Sequence, residues 1–254
     1  MKHALRIVAL IALSALALQL YFLGRIALMK AIDPESTSFQ RSEAWRLLVE
    51  RRDVAWHQQW MPYAQISPSL KRAVIASEDS GFVEHDGVEW DALEQAWQRN
   101  EKTEARAARL NLAAEQRAQA RGAAQAPSKV AARIVGGSTI TQQLAKNLFL
   151  DSERTLLRKG QELAITFMLE ALLSKQRILE IYLNSVEWGE GVFGAEAAAG
   201  HYFHVPAARL GVSQAAQLAV MLPAPKRFEK RPGSAYIVGR AGTIAARMPA
   251  VELP

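Results

Sequence analysis

From Ile7 to Leu23 the chain reads IVALIALSALALQLYFL, apolar throughout except at Ser14 and Gln19. As a helix rising 1.5 Å per residue, this run reaches roughly 26 Å, and Arg25 and Lys30 are placed to snorkel at its end. It is long for the apolar core of a signal peptide, and no small-x-small pattern follows between Leu23 and Arg25. The pattern therefore predicts an uncleaved membrane anchor over residues 1–30. Lys2 and Arg6 ahead of it favour an N-terminus on the inner side, although Arg25 and Lys30 weaken the asymmetry.

Beyond the anchor the apolar positions recur with helical spacing. Residues 31–56 read as a juxtamembrane linker, IDPESTS, and a helix from Arg41 to Trp56. Leu70, Val74 and Ile75 predict a short helix over Ser67 to Ser77 with Ser67 as its N-cap. Glu78 and Asp79 then fall at its C-terminal end, where the helix dipole disfavours negative charge and makes a carboxylate easier to protonate. Residues 101–133, rich in Ala, Arg, Glu and Gln, cannot build a core and predict a solvated, mobile surface insertion. Thr139 and Gln142 have capping-box spacing ahead of QQLAKNLFL. Glu153 to Leu173 is apolar nearly all the way round, as in a buried central helix. Ser174 can cap KQRILEIYLN, with Gln176 and Arg177 toward solvent and Ile178, Ile181 and Tyr182 packed. Alternating runs of strand type are scarce, so the expected fold class is mainly α.

Composition adds two bounds. The 254-residue chain contains no cysteine, which excludes disulfides, thiolate metal sites and a cysteine nucleophile. Its net charge of +6 suits an anionic partner: phosphate, nucleic acid or membrane surface. Three stretches carry candidate chemistry. SEDSGFVEHDG, Ser77 to Gly87, gathers acids, an aromatic, a histidine and a closing glycine. GGSTITQQLAKN, Gly136 to Asn147, joins a glycine pair to hydroxyls at a helix start, a good seat for phosphate and also a well-capped helix. Arg154, Arg158 and Glu162, four apart with Lys159 beside them, form one stripe, either a salt-bridge ladder or the wall of a polar cleft.

In succession, EDSGFVEHDG, GGSTITQQLAKN, RKGQE, KQRILEIYLN and GVFGAEAAAGHYF resemble the five motifs of the peptidoglycan glycosyltransferases (family 51), which polymerise lipid II. With one anchor and the LPAPKRF ending, the chain is similar to the monofunctional biosynthetic transglycosylases of that family. The resemblance covers about Pro62 to Pro225. It implies a lysozyme-like, mainly helical domain over residues 57–230, a small membrane-facing jaw lobe and a tail at 231–254. Two departures stand out: residues 101–133 lengthen the usual link between the first two motifs, and YFHVPAARL lacks the Gly-Lys that often follows Tyr-Phe.

The resemblance also assigns roles. Glu78 matches the general base and Glu162 the second essential carboxylate. Asp79, Phe82 and His85 shape the first motif. Ser138, Thr139, Gln142, Gln143, Lys146, Asn147, Arg154, Arg158 and Lys159 line the substrate's phosphate and sugar sites, and Glu180 and Asn184 brace the fold. It implies no organic cofactor and leaves room for a divalent cation, Mg²⁺ or Mn²⁺, at Glu162. The implied partners are lipid II, the growing lipid-linked glycan, the membrane and other cell wall synthesis or division proteins, with no nucleic acid. The implied location is the inner membrane, single-pass, with the catalytic domain on the periplasmic side. Two rival readings are a lytic transglycosylase that cuts the same polymer and a non-enzymatic glycan-binding scaffold.

Overall fold

The structure, a computed structural model, describes residues 2–52, 55–120, 128–131, 137–150 and 155–254. They divide into two compact units, Val88–Ser138 and the remainder on either side of it. In chain order the larger unit holds α1 (Lys2–Leu28), α2 (Ser38–Arg51), β1 (His57–Gln58) and α3 (Pro68–Glu78). The smaller unit holds α4 (Trp90–Ala120). The larger unit resumes with α5 (Ile140–Phe149), α6 (Leu156–Leu172), α7 (Lys175–Ser185), β2 (Glu187–Gly189) and β3 (Val192–Phe193). It closes with α8 (Ala195–Phe203), α9 (Val212–Met221), α10 (Pro225–Phe228) and α11 (Ala235–Arg247). The fold is mainly α. The strands form one small sheet in the order β1-β3-β2, with β1 parallel and β2 antiparallel to β3.

The helix starts follow the local chemistry. Ser67 caps α3 with Pro68 at its first position. Thr37 with Gln40 and Thr139 with Gln142 both form capping boxes, and Ser174 caps α7. Helix α2 ends at Arg51 rather than running to Trp56. Arg52 turns into the left-handed region (φ 54°), and Trp56 leaves to stack on Phe193 at 4.4 Å. Helix α6 begins at Leu156, capped by Thr155; Glu153 and Arg154, expected in it, lie outside the described residues.

The core of the larger unit is built from faces at helical spacing. Leu70 and Val74 of α3, Ile140 and Leu144 of α5, Ile165 and Leu169 of α6, and Ile178 and Tyr182 of α7 are all fully buried. Truncating one of these aliphatic side chains to Ala costs about 2–5 kcal/mol in such a setting. The C-terminal residues are not a tail. Helix α11 packs on α9 and α3 and sends Ile237, Ala241 and Ile244 into the same core.

Two further expectations change. Helix α6 is not buried all round: Ile165, Thr166 and Leu169 face the core, whereas Leu156, Leu157 and Phe167 are exposed. Nor does Arg177 point to water. Its guanidinium pairs with Glu180 and Asp33 at 2.7 and 2.6 Å, donates to the carbonyls of Met29 and Ile32, and lies over the Trp60 ring. One long, planar donor thus ties α7 to the segment that follows α1.

Helix α1 is long and apolar enough to cross a membrane. Its last turns belong to the larger unit's core, with Phe22, Ile26 and the following Met29 buried. Phe22 packs on Phe149 at 5.1 Å, and Gln19 and Gln161 of α6 exchange amide hydrogen bonds of 2.8 and 3.0 Å.

In the smaller unit, residues 101–120 of the expected insertion continue α4, and residues 121–127 and 132–133 lie outside the described residues. Ala, Glu, Gln and Arg are strong helix formers, which is why the run stays helical with so little burial. Only Ala96 and Ala107 of α4 are buried. Asn111 exchanges hydrogen bonds with the backbone of Val130 at 2.8 and 3.1 Å.

Candidate active site

The acidic segment after α3 is a stapled loop. Asp79 ends the helix, donating its N–H to Ile75 at 2.9 Å. Its carboxylate spans two elements: Oδ2 accepts the N–H of Ile140 at 2.9 Å, and Oδ1 accepts from Nε2 of His85 at 2.8 Å. Asp79 therefore sits at the N-terminus of α5, where a negative charge is favoured, and only Glu78 is left against the α3 dipole. His85 Nδ1 accepts the N–H of Gly87 at 3.1 Å, which assigns its proton to Nε2. Burial opposes a second proton on His85, but the hydrogen bond and charge of Asp79 outweigh it and raise the pKa.

Gly87 closes the loop at φ +86°, where a Cβ would stand 2.7 Å from Cγ2 of Thr166 and 2.8 Å from Cγ of Glu170. Its carbonyl accepts from Thr139 Oγ1 at 2.6 Å. Phe82 is buried beneath the loop with the Lys175 ammonium over its ring, so it shapes the motif from inside. Lys175 donates to the carbonyl of His85 and pairs with Glu170, which also accepts from Thr141.

Glu78 is the residue this staple positions. Its Oε2 accepts from Gln143 Nε2 at 3.0 Å, and its Oε1 accepts from Ser77 Oγ at 3.3 Å. The other end of the Gln143 amide accepts from the buried Tyr182 hydroxyl at 3.0 Å. That bond fixes which end of the amide meets Glu78, because a phenol in this position needs an acceptor. Burial, assisted by the charge of Asp79, raises the Glu78 pKa against the opposing hydrogen bonds from Gln143 and Ser77. A half-buried carboxylate with heightened proton affinity and a fixed orientation is suited to taking a proton from an alcohol.

On α6, Glu162 is buried and holds a cation on each oxygen: Lys159 on Oε1, and Arg158 on Oε2 at 3.0 Å. Arg158 Nε is buried with no hydrogen-bond partner among the described residues. Such an orphaned donor is costly unless something else accepts from it, and an anion is its natural acceptor. The stripe begins beside Leu156 and Leu157, which are 93% and 87% exposed. Because both Glu162 oxygens are engaged by cations, this donor set does not fit a divalent metal and instead presents positive charge to an anion.

The remaining predicted residues fall in different places. Thr139 and Gln142 are buried, and their side-chain oxygens form the α5 cap, so they place Gln143 rather than offer free groups. Lys146 is exposed and Asn147 half-buried on α5. Ser138 belongs to the smaller unit, and Arg154 lies outside the described residues. Glu180 accepts the N–H of Tyr63 at 2.8 Å, and Asn184 bonds both the N–H and the carbonyl of Met61. Tyr182, Glu170 and Lys175 went unassigned by sequence reasoning. Tyr182 read only as a packed residue, and nothing in its spacing announced where its hydroxyl goes.

A family model described as Transglycosylase matches residues 47–108 and 113–249. The chain is 50% identical over 246 residues to a biosynthetic peptidoglycan transglycosylase of Paraburkholderia xenovorans (strain LB400), covering 97% of this chain and 91% of that protein. It is 52% identical over 240 residues to a protein of the same description from Burkholderia orbicola (strain MC0-3), covering 94% and 86%.

Proposed function

This chain belongs to the transglycosylase family and is a peptidoglycan glycosyltransferase of cell wall synthesis, and on that premise we propose that it polymerises lipid II with Glu78 as general base. The sugar 4-hydroxyl of the acceptor attacks the anomeric carbon of the lipid-linked donor and passes its proton to Glu78 as the new C–O bond forms. The bond from the anomeric carbon to the pyrophosphate breaks with inversion, giving a β1,4 link and undecaprenyl pyrophosphate. Arg158 and Lys159, held by Glu162, balance the charge of the leaving group.

The observation that carries this reading is the presence in the larger unit of two unlike groups: an oriented carboxylate with raised proton affinity, and a cationic stripe with a buried N–H that has no partner among the described residues, on the helix whose first leucines are exposed. A glycan cutter has no pyrophosphate to stabilise, so the second group favours synthesis over lysis. The Gln19–Gln161 pair supports a donor that arrives from the bilayer. Gln19 lies within the apolar run of α1, so α6 and its cations sit near headgroup depth. On α4, Trp90, Leu93 and Trp97 are exposed at spacings of three and four, one stripe with the aromatic character of a membrane interface. The proposed location is the inner membrane, single-pass, with the catalytic domain in the periplasm.

The test is Glu78→Gln with purified lipid II. Turnover should fall by about 10²- to 10⁴-fold while lipid II binding stays near that of the parent. Near-parental turnover would overturn the base assignment.

A further inference from the structure

Where α1 leaves its apolar run, the larger unit carries a cavity of about 320 Å³ that opens to the surface, outside the catalytic site. Leu28 and Ile32 give it an apolar wall, and its charged lining is Arg25, Arg41, Asp33 and Glu35. These four are not equivalent. Asp33 is paired with Arg177 at 2.6 Å. Among the described residues Arg41 is held by neutral oxygens, of Ser36 and Ser38, so its guanidinium is oriented with no acid paired to it there. Arg25 and Glu35 have no ion-pair partner among the described residues. Among the described residues the cavity thus offers two cations and one carboxylate without an ion-pair partner, at the end of a helix long enough to span a bilayer. Its floor is not a loose loop, because Arg177 clamps the carbonyls of Met29 and Ile32 and the carboxylate of Asp33.

We propose that this cavity binds the zwitterionic headgroup of an aminophospholipid, its phosphate between Arg25 and Arg41 and its primary ammonium on Glu35. The apolar wall of Leu28 and Ile32 receives the start of the acyl chains. A purely anionic headgroup satisfies the arginines but leaves Glu35 facing negative charge. A quaternary ammonium reaches Glu35 but has no N–H to donate. A primary ammonium beside a phosphodiester answers all three groups, and the size suits one headgroup. The inference rests on the reading of α1 as a membrane anchor.

The test uses the full chain in detergent, following the thermal midpoint while short-chain phosphatidylethanolamine, phosphatidylcholine, phosphatidylglycerol or water-soluble phosphoethanolamine is added. Phosphatidylethanolamine should bind saturably and about tenfold tighter than either other lipid, the equivalent of one charged hydrogen bond. Soluble phosphoethanolamine should bind more weakly still, since it lacks the chains. Glu35→Gln should erase the preference over phosphatidylcholine, and Arg25→Gln should weaken all three lipids. Equal binding of the three lipids, stronger binding of phosphatidylglycerol, or equally tight binding of soluble phosphoethanolamine overturns the proposal. Flotation with phosphatidylcholine vesicles separates the two readings. A chain that floats but shows no headgroup preference sinks the cavity proposal alone, and a chain that fails to float sinks the anchor.

Discussion

Replacing Gln143 by Leu should reshape the pH dependence of turnover, not merely lower it. Gln143 Nε2 donates to Glu78 at 3.0 Å and is the closer of the two side-chain donors on that carboxylate. A hydrogen bond to a charged group is worth about 1.5–3 kcal/mol, so losing it penalises the Glu78 anion by that much. At 1.36 kcal/mol per decade, the deprotonated fraction on the acid limb falls by about tenfold to a hundredfold, and the limb moves to higher pH. Well above the limb Glu78 is ionised in both proteins, and the difference in kcat shrinks. Tyr182→Phe acts one bond further away. It removes the donor that fixes the Gln143 amide, leaving a buried carbonyl unpaired at about 1–3 kcal/mol of stability and letting the amide turn its oxygen toward Glu78. Its acid limb should shift the same way but less, and the double variant should match Gln143→Leu, because the two changes act through one bond. The assay is kcat against pH with saturating lipid II in detergent. An acid limb that stays put in Gln143→Leu would refute the reasoning, whatever happens to the absolute rate.

Glu187 gives a stability prediction away from the site. Burial first, then the charges of Glu43 and Glu229, push its carboxyl up to about 7 from 4.5 against the pull of Lys226. Its contribution to stability is therefore fully present below pH 4.5 and lost as the pH rises through about 7, up to about 3 kcal/mol. Unfolding curves of Glu187→Gln should lack that decline, and a parallel pH profile in both proteins would count against it. Gly87→Ala forces a Cβ between Thr166 and Glu170 at positive φ, so stability should fall by about 1–3 kcal/mol, lowering the melting midpoint, and turnover should fall with it. Unchanged melting would show that the loop relaxes freely. A fluorescent penicillin should not label the 254-residue chain, because none of its serines has lysine three positions later; covalent labelling would contradict this.

The parts of this enzyme legible in the sequence are those whose physics is local. The apolar run of α1, the Thr139–Gln142 capping box and the Ser67 cap depend on residues within one turn of each other, and the structure places them where the spacing predicts. The stripe on α6 is local too, so Glu162 could be paired with Arg158 and Lys159 in advance. What stayed hidden were partners far apart in the chain. Asp79 reads as an acid against a helix dipole until Ile140 arrives to donate to it. Arg177 reads as solvated until the segment after α1 is folded against it. The exposure of Leu156 and Leu157 was obscured for another reason: a helix apolar on all sides looks the same whether its outer face meets protein or lipid.

Helix α1 fits a single-pass membrane anchor, and on the proposed location its seating in the core changes how the enzyme rides on the bilayer. A catalytic body hung from a loose leash can swivel and bob, and its distance from the lipid surface is an average. Here Phe22, Ile26, the Gln19–Gln161 pair and the Arg177 clamp make anchor and larger unit one stiff piece, closer to a keel than a leash. Its height and tilt are then dictated by the helix itself. One residue added to α1 ahead of Gln19 would change only its N-terminal end. One added between Gln19 and Ile26 would turn the helix by about 100° and shift it by about 1.5 Å, breaking the fit at several points together. Elevation above the membrane is therefore written into the register of a single helix.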